Sequence, residues 1–102
     1  MKIFLNDKLI GTISDVKVDM FHMYGRFDAG DDFALIEPDV DRLEQLWKRA
    51  EQDGFTEDEQ DELDALTEKL DDLELFAIGK DGHPCEIRDF KVIDGECEFK
   101  VV

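Results

Sequence analysis

Carboxylates dominate the side chains of this sequence that carry chemistry. The segment from Thr56 to Glu74, TEDEQDELDALTEKLDDLE, holds ten acids and one base, Lys69. At about 100° per residue, half of these acids fall on one stripe of a helix, opposite a row of leucines. We call this stripe the acidic face; it consists of Glu57, Asp61, Asp64, Glu68 and Asp72.

The acidic face costs helix stability. Four pairs of acids in this segment stand four residues apart, and each like-charge pair is unfavourable by ~0.2–0.5 kcal/mol at low salt. The pairs are Glu57/Asp61, Asp58/Glu62, Asp64/Glu68 and Glu68/Asp72. Either the face is only solvated, or it docks on a basic protein surface in the manner of an inhibitor or immunity protein. We predict the second, a small non-enzymatic interaction domain.

Two other functions are compatible with the same sequence. The first is mimicry of nucleic acid, because the face spreads its carboxylates over ~22 Å, within a factor of two of the phosphate density along one DNA strand. The second is a small acid–base enzyme that uses Asp19, His22 or Tyr24 in the segment DMFHMYG. A deep pocket around His22 would favour the enzyme.

Catalytic and metal-binding signatures are absent from the sequence. The single serine, Ser14, lies in an expected turn without a nucleophile–base arrangement. The acids do not have the spacing of a calcium-binding EF-hand loop, and His22 and His83 lack the neighbours of a zinc site. We therefore expect no catalytic residue, no metal site and no cofactor.

The two cysteines are too far apart in the expected strand register to form a disulfide. If Asp94 and Gly95 form a two-residue turn, Cys97 faces Val92, and Cys85 lies ~23 Å further along its strand. Both cysteines alternate with apolar residues, which predicts two buried, unreactive thiols.

The net charge of −16 restricts the partners of the chain. It disfavours direct binding to nucleic acid or to an anionic membrane, because like charges repel over a Debye length of ~10 Å. No apolar run approaches the ~18 residues of a membrane span, and no signal peptide is visible. We expect residues 1–102, with an apolar share of 42%, to form a single domain in the cytoplasm.

The strands are expected at both ends of the chain. KIFLNDKLIGTI predicts a hairpin that turns at Asn6–Asp7, and Asp81–Gly82 and Asp94–Gly95 predict turns among three C-terminal strands. In VKVDMFHMYGRF the apolar residues alternate first at even positions, Val16 and Val18, and then at odd positions, Phe21, Met23 and Phe27. This change of parity predicts a bulge near Met20. The methionines of this segment are expected in the core, and His22 is expected near the surface or near a helix that covers the sheet.

The middle of the chain predicts a helical hairpin. A first helix, over about residues 37–52, begins near Pro38 and ends before Gly54. Its apolar positions are Val40, Leu43, Leu46, Trp47 and Ala50. The pair Thr56 and Glu59 forms a capping box for a second helix over about residues 57–73. Its apolar positions are Leu63, Leu66, Leu70 and Leu73.

These elements predict an α+β fold, a largely antiparallel β-sheet with a two-helix hairpin inserted between N-terminal and C-terminal strands. The last strand carries an outer row of charge, Glu96, Glu98 and Lys100, which discourages pairing at a sheet edge. Leu46 and Trp47 cannot both be buried against one sheet, so an apolar patch is expected near Trp47. We predict a monomer or a weak homodimer that forms through this patch when salt screens the charge.

Overall fold

Six strands and two α-helices follow one another in the computed structural model, which describes residues 1–102. The strands are β1 (Lys2–Leu5), β2 (Lys8–Asp19), β3 (His22–Ala29), β4 (Phe76–Ile78), β5 (Pro84–Ile93) and β6 (Glu96–Val101). The helices are α1 (Glu37–Asp53) and α2 (Glu57–Asp72), and a 3₁₀-helix at Phe33–Leu35 precedes α1. The predicted α+β class, with the helical hairpin between N-terminal and C-terminal strands, is confirmed.

The antiparallel sheet closes into a barrel with the strand order β1-β2-β3-β6-β5-β4. Closure comes from β1, which pairs with β2 on one side and with β4 on the other, where Ile3 lies opposite Ala77. The expectation that β6 ends the sheet is therefore wrong. This strand lies between β3 and β5, so Glu96, Glu98 and Lys100 do not protect an edge.

The hairpin predictions are confirmed. The backbone of Asn6 has a φ of 56°, and Asp94 and Gly95 have φ values of 53° and 81°, the left-handed pair that a tight two-residue turn requires. Asp81 and Gly82 lie in a longer connection between β4 and β5. Val92 faces Cys97 across the last hairpin, as the register predicts.

The predicted bulge near Met20 is wrong. Met20 and Phe21 form the turn between β2 and β3, and Met20 has a φ of 57°. In the β2–β3 ladder the bulge lies instead between Ser14 and Lys17, where Asp15 has a φ of 54°. Met20 is 84% exposed, so its expected place in the core is also wrong. The parity change is real, but a turn made by two apolar residues causes it.

One hydrophobic core joins the barrel to the helices. It contains 15 buried residues from the strands, the helices and the segments that join them, and both helices pack against β5. The buried residues are Ile3, Ile10, Ile13, Ile36, Val40, Leu43, Leu46, Leu63, Leu70, Leu75, Ala77, Ile87, Phe90, Cys97 and Phe99. Trp47, Leu66 and Leu73 are half-buried and pack against this core. The predicted apolar stripes of the two helices are thus confirmed.

The helix ends follow the signals in the sequence. Pro38 lies in the first turn of α1, and Gly54 ends that helix with a φ of 75°. Thr56 and Glu59 form the predicted capping box, in which each side chain accepts a hydrogen bond from the backbone N–H of the other residue. Neither helix combines the length and the apolar composition that crossing a membrane would require.

Candidate protein-binding surface

Three ion pairs join α1 and α2. Arg42 donates from Nε to Glu62 Oε2 at 2.6 Å, and Arg49 Nε lies 3.2 Å from Glu59 Oε2. A third pair joins Lys69 Nζ to Asp39 Oδ2 at 3.0 Å. Three of the four bases of the hairpin therefore pair with acids at the helix–helix contact.

These contacts shift the pKa values of the groups that make them. The hydrogen bonds from Arg42 hold the pKa of Glu62 below its ordinary value, and Glu62 raises the pKa of Arg42 in return. The pKa of Glu59 is also lowered, first by the hydrogen bond from the Thr56 backbone and then by Arg49 and Arg42. Both carboxylates thus stay ionised near neutral pH.

The remaining helical base, Lys48, joins α1 to the turn between β5 and β6 through an ion pair. Its Nζ lies 2.6 Å from Asp94 Oδ1 and 3.8 Å from Glu44 Oε2. The backbone N–H of Asp94 donates to Glu44 Oε2 at 2.7 Å. On the other helix, Asp71 Oδ1 accepts a hydrogen bond from the backbone N–H of Asp89 at 2.8 Å, within the bulge of β5. Polar contacts thus set the orientation of both helices on the barrel.

None of these cations forms an ion pair with the acidic face. Each of its residues is exposed, and none of them takes part in any of the nine ion pairs of the protein. Its only side-chain hydrogen bond runs from Gln60 Nε2 to Asp64 Oδ1 at 3.0 Å. All four bases of the two helices pair with acids outside the face. The result is a helix surface of uncompensated negative charge.

The residues of the alternative enzyme hypothesis lie on the outer surface of the barrel. Asp19 and His22 are opposite one another at the end of the β2–β3 ladder, and the rings of His22 and Tyr24 stack with centroids 6.3 Å apart. His22 Nδ1 lies 3.3 Å from Glu98 Oε1. Partial burial, then Glu98 and Asp19, raises the pKa of Tyr24.

A groove of about 790 Å³ lies beside these residues but is not lined by His22. Its walls include Lys17, Tyr24, Arg26, Asp94 and Glu96. Opposite charges are thus mixed along the groove, in contrast to the acidic face. No group of three or more His, Cys, Asp or Glu side chains has the arrangement of a metal site.

Only one cysteine follows the prediction. Cys97 is buried between β3 and β5, and burial raises the pKa of its thiol to about 12. Cys85 is exposed, so its expected burial is wrong. Cys85 lies opposite the buried Ala77 and on the same face as the buried Ile87, but it is at the start of β5, beside the connection from β4, where its side chain is exposed. Both thiols are free.

The apolar surface lies mainly at the β2–β3 hairpin, which the sequence did not indicate. Val18, Met20 and Phe21 expose 65%, 84% and 71% of their surface there. At the expected patch, Trp47 is half-buried, with its ring against Phe55 at 5.3 Å and Lys91 Nζ 5.0 Å from the ring centre. The change of parity in the apolar pattern is the one sequence signal for this hairpin. Met20 and Phe21 do not suggest a turn, because turns favour Gly, Pro, Asn, Asp and Ser.

Comparisons with protein-family models, with curated proteins and with solved structures found no match to this chain.

Proposed function

We propose that this protein is a non-enzymatic interaction domain that binds a basic protein surface through the acidic face. One observation carries the proposal: the face keeps its negative charge uncompensated, although α1 and α2 contain four bases that pair with other acids. A purely structural helix surface would gain from alternating charges, because opposite charges four residues apart stabilise a helix and like charges destabilise it.

Two features make the face suitable for binding. First, α2 is fixed on the barrel by Leu63 and Leu70 in the core and by the ion pairs to α1, so its carboxylates project from a rigid support. Second, a row of one charge sign steers a complementary surface and accelerates its association. Lysine and arginine side chains of the partner would neutralise the face on binding.

Capture of partners by the immobilised protein tests this function. The test variant replaces the face by amides, with Glu57→Gln, Asp61→Asn, Asp64→Asn, Glu68→Gln and Asp72→Asn. The matched control makes the same chemical change at exposed acids outside the face, with Asp7→Asn, Asp31→Asn, Asp53→Asn, Glu51→Gln and Glu96→Gln. Both variants lose the same negative charge, so the comparison isolates the position of the acids.

We expect the wild type and the control variant to retain the same basic protein at low salt, and the face variant to lose it. Retention by the face variant at the level of the control would contradict the proposal. Elution by duplex DNA at the same ionic strength would show that the partner has a nucleic-acid site, which is the outcome expected of a nucleic-acid mimic.

A further inference from the structure

The second half of β2 is a free strand edge in an otherwise closed barrel. β2 is a strand of 12 residues, and β1 pairs with it only from Lys8 to Thr12, with a last pair of backbone hydrogen bonds between Met1 and Ile13. Beyond the bulge at Asp15, residues 17–19 continue to pair with β3. This part of β2 therefore has a neighbouring strand on one side only.

The geometry of the hairpin shows which backbone groups are unpaired at this edge. A two-residue turn makes its flanking residues, Asp19 and His22, a hydrogen-bonded pair, and bonding alternates along an antiparallel ladder. Lys17 and Asp19 therefore direct their backbone groups towards β3. The N–H and C=O of Val18 point away from β3, towards solvent. Such groups are the usual template for the addition of another strand.

Exposed apolar side chains accompany these unpaired groups. Val18 is 65% exposed, and the turn that follows exposes Met20 and Phe21. Val18 lies opposite Met23, which packs against the core, so the apolar surface continues from the barrel interior to the edge. A strand added at this edge would bury the side chain of Val18 as well as satisfy its backbone.

We propose that a second copy of this chain occupies the edge, with the two β2 strands antiparallel about a twofold axis at Val18. Each Val18 then exchanges two backbone hydrogen bonds with Val18 of the other copy. The sheet continues across the dimer from one barrel into the other. This inference is independent of the acidic face, which lies on α2.

Charge selects the register of this pairing. With Val18 opposite Val18, Lys17 of each copy lies opposite Asp19 of the other, which gives two cross-strand pairs of opposite charge. A register centred on Lys17 instead places Lys17 against Lys17 and Asp15 against Asp19, so that every charged pairing joins like charges. A register centred on Val16 brings in Asp15, whose φ of 54° is not that of an extended strand. Only the Val18-centred register combines extended backbone with complementary charge.

The dimer should be weak and favoured by salt. The paired segment is short, and two chains of charge −16 repel each other until salt reduces the Debye length. We expect sedimentation equilibrium at ~100 µM protein to show a monomer at ~10 mM salt and a growing dimer fraction at ~0.2–0.5 M salt. A monomer under all of these conditions would overturn the proposal.

A charge-exchange cycle tests the register. Lys17→Asp and Asp19→Lys should each weaken dimerisation by about tenfold, because two attractive pairs become repulsive. The double variant, with both changes, should recover the wild-type dimerisation constant to within about threefold. The matched controls Lys8→Asp and Asp31→Lys make the same charge changes at exposed residues outside the edge. Their dimerisation constants should differ from that of the wild type only through the change in net charge.

Val18→Pro tests the edge itself. Proline lacks the N–H that the proposed dimer uses, whereas the β2–β3 ladder does not need this donor. The variant should remain a monomer at high salt, with a circular dichroism spectrum like that of the wild type. If its fold is lost, Val18→Lys replaces it, because an exposed lysine opposes self-pairing without changing the backbone. Dimers of Val18→Lys as stable as the wild type, or a double charge variant no better than the single ones, would refute the proposed interface.

Discussion

Arg42 holds Glu62 through two hydrogen bonds, from Nε to Oε2 at 2.6 Å and from Nη2 to Oε1 at 2.8 Å, and so joins α1 to α2. This contact lowers the pKa of Glu62 below the ordinary 4.5. A folded-state pKa below that of the unfolded chain adds stability above about pH 4.5, and this stability is lost as the pH falls through the folded-state value.

We therefore expect Glu62→Gln to lower the melting temperature slightly at about pH 7, and the difference from the wild type to shrink as the pH falls below about 4.5. Thermal unfolding followed by circular dichroism at a series of pH values measures this. Glu51→Gln is the control, because Glu51 is exposed and has no ion pair. An equal effect of both substitutions would mean that the Arg42 contact does not contribute to stability.

Salt should stabilise the protein, because the like-charge pairs of the acidic face repel most strongly at low ionic strength. Raising salt from ~10 mM to ~0.5 M should increase the melting temperature at a protein concentration too low for dimers. The face variant with five amides should begin with a higher melting temperature and gain less from salt. An unchanged or lower melting temperature of the wild type at high salt would contradict the description of the face as uncompensated.

Gly25 should be intolerant of a larger side chain. It is buried on β3, and an added Cβ would contact Ile13 Cγ2 and lie 2.8 Å from the Ser14 carbonyl oxygen. We expect Gly25→Ala to lower the free energy of unfolding by ~1–3 kcal/mol, as overpacking does. Gly79→Ala is the control, because the nearest atom to its Cβ would be at 3.6 Å. Urea denaturation of both variants compares them, and equal stability would contradict the close packing of β2 on β3.

The two thiols should differ in reactivity. Cys85 is exposed and should react with a thiol reagent in the native protein, whereas burial and a pKa of about 12 keep Cys97 unreactive. We expect one thiol to be titrated in the native state and two after denaturation. Cys85→Ser should abolish the native reaction and leave one thiol under denaturing conditions. Rapid reaction of both thiols in the native wild type would show that β6 opens more readily than its position in the barrel indicates.

The helical hairpin was predictable because local signals agree with the packing. The capping box at Thr56, the stop at Gly54 and the leucine stripe of α2 are all confirmed. Each depends on residues within a few positions of one another, so the chain itself contains the information. Exposure of the acidic face also follows from its helical period, as the residues opposite it, Leu63 and Leu70, are buried.

Barrel closure and the free edge were not predictable from the same patterns. Closure depends on β1 pairing with β4, across more than seventy residues, and no local pattern encodes it. The β2–β3 turn was missed because Met20 adopts a φ of 57°, which is unusual for methionine. The exposure of Cys85 was not predictable because alternation identifies the face of a strand but not where along the strand the core ends; Cys85 shares its face with the buried Ile87 but lies at the start of β5.

The most direct test of the central claim is the affinity of the captured basic protein for three forms of this protein: wild type, face variant and matched control. We predict that the face variant binds at least about tenfold more weakly at low salt, that the control stays within about threefold of the wild type, and that rising salt weakens wild-type binding. Equal affinities of the two variants, or wild-type binding that does not respond to salt, would contradict the assignment of the acidic face as the binding surface.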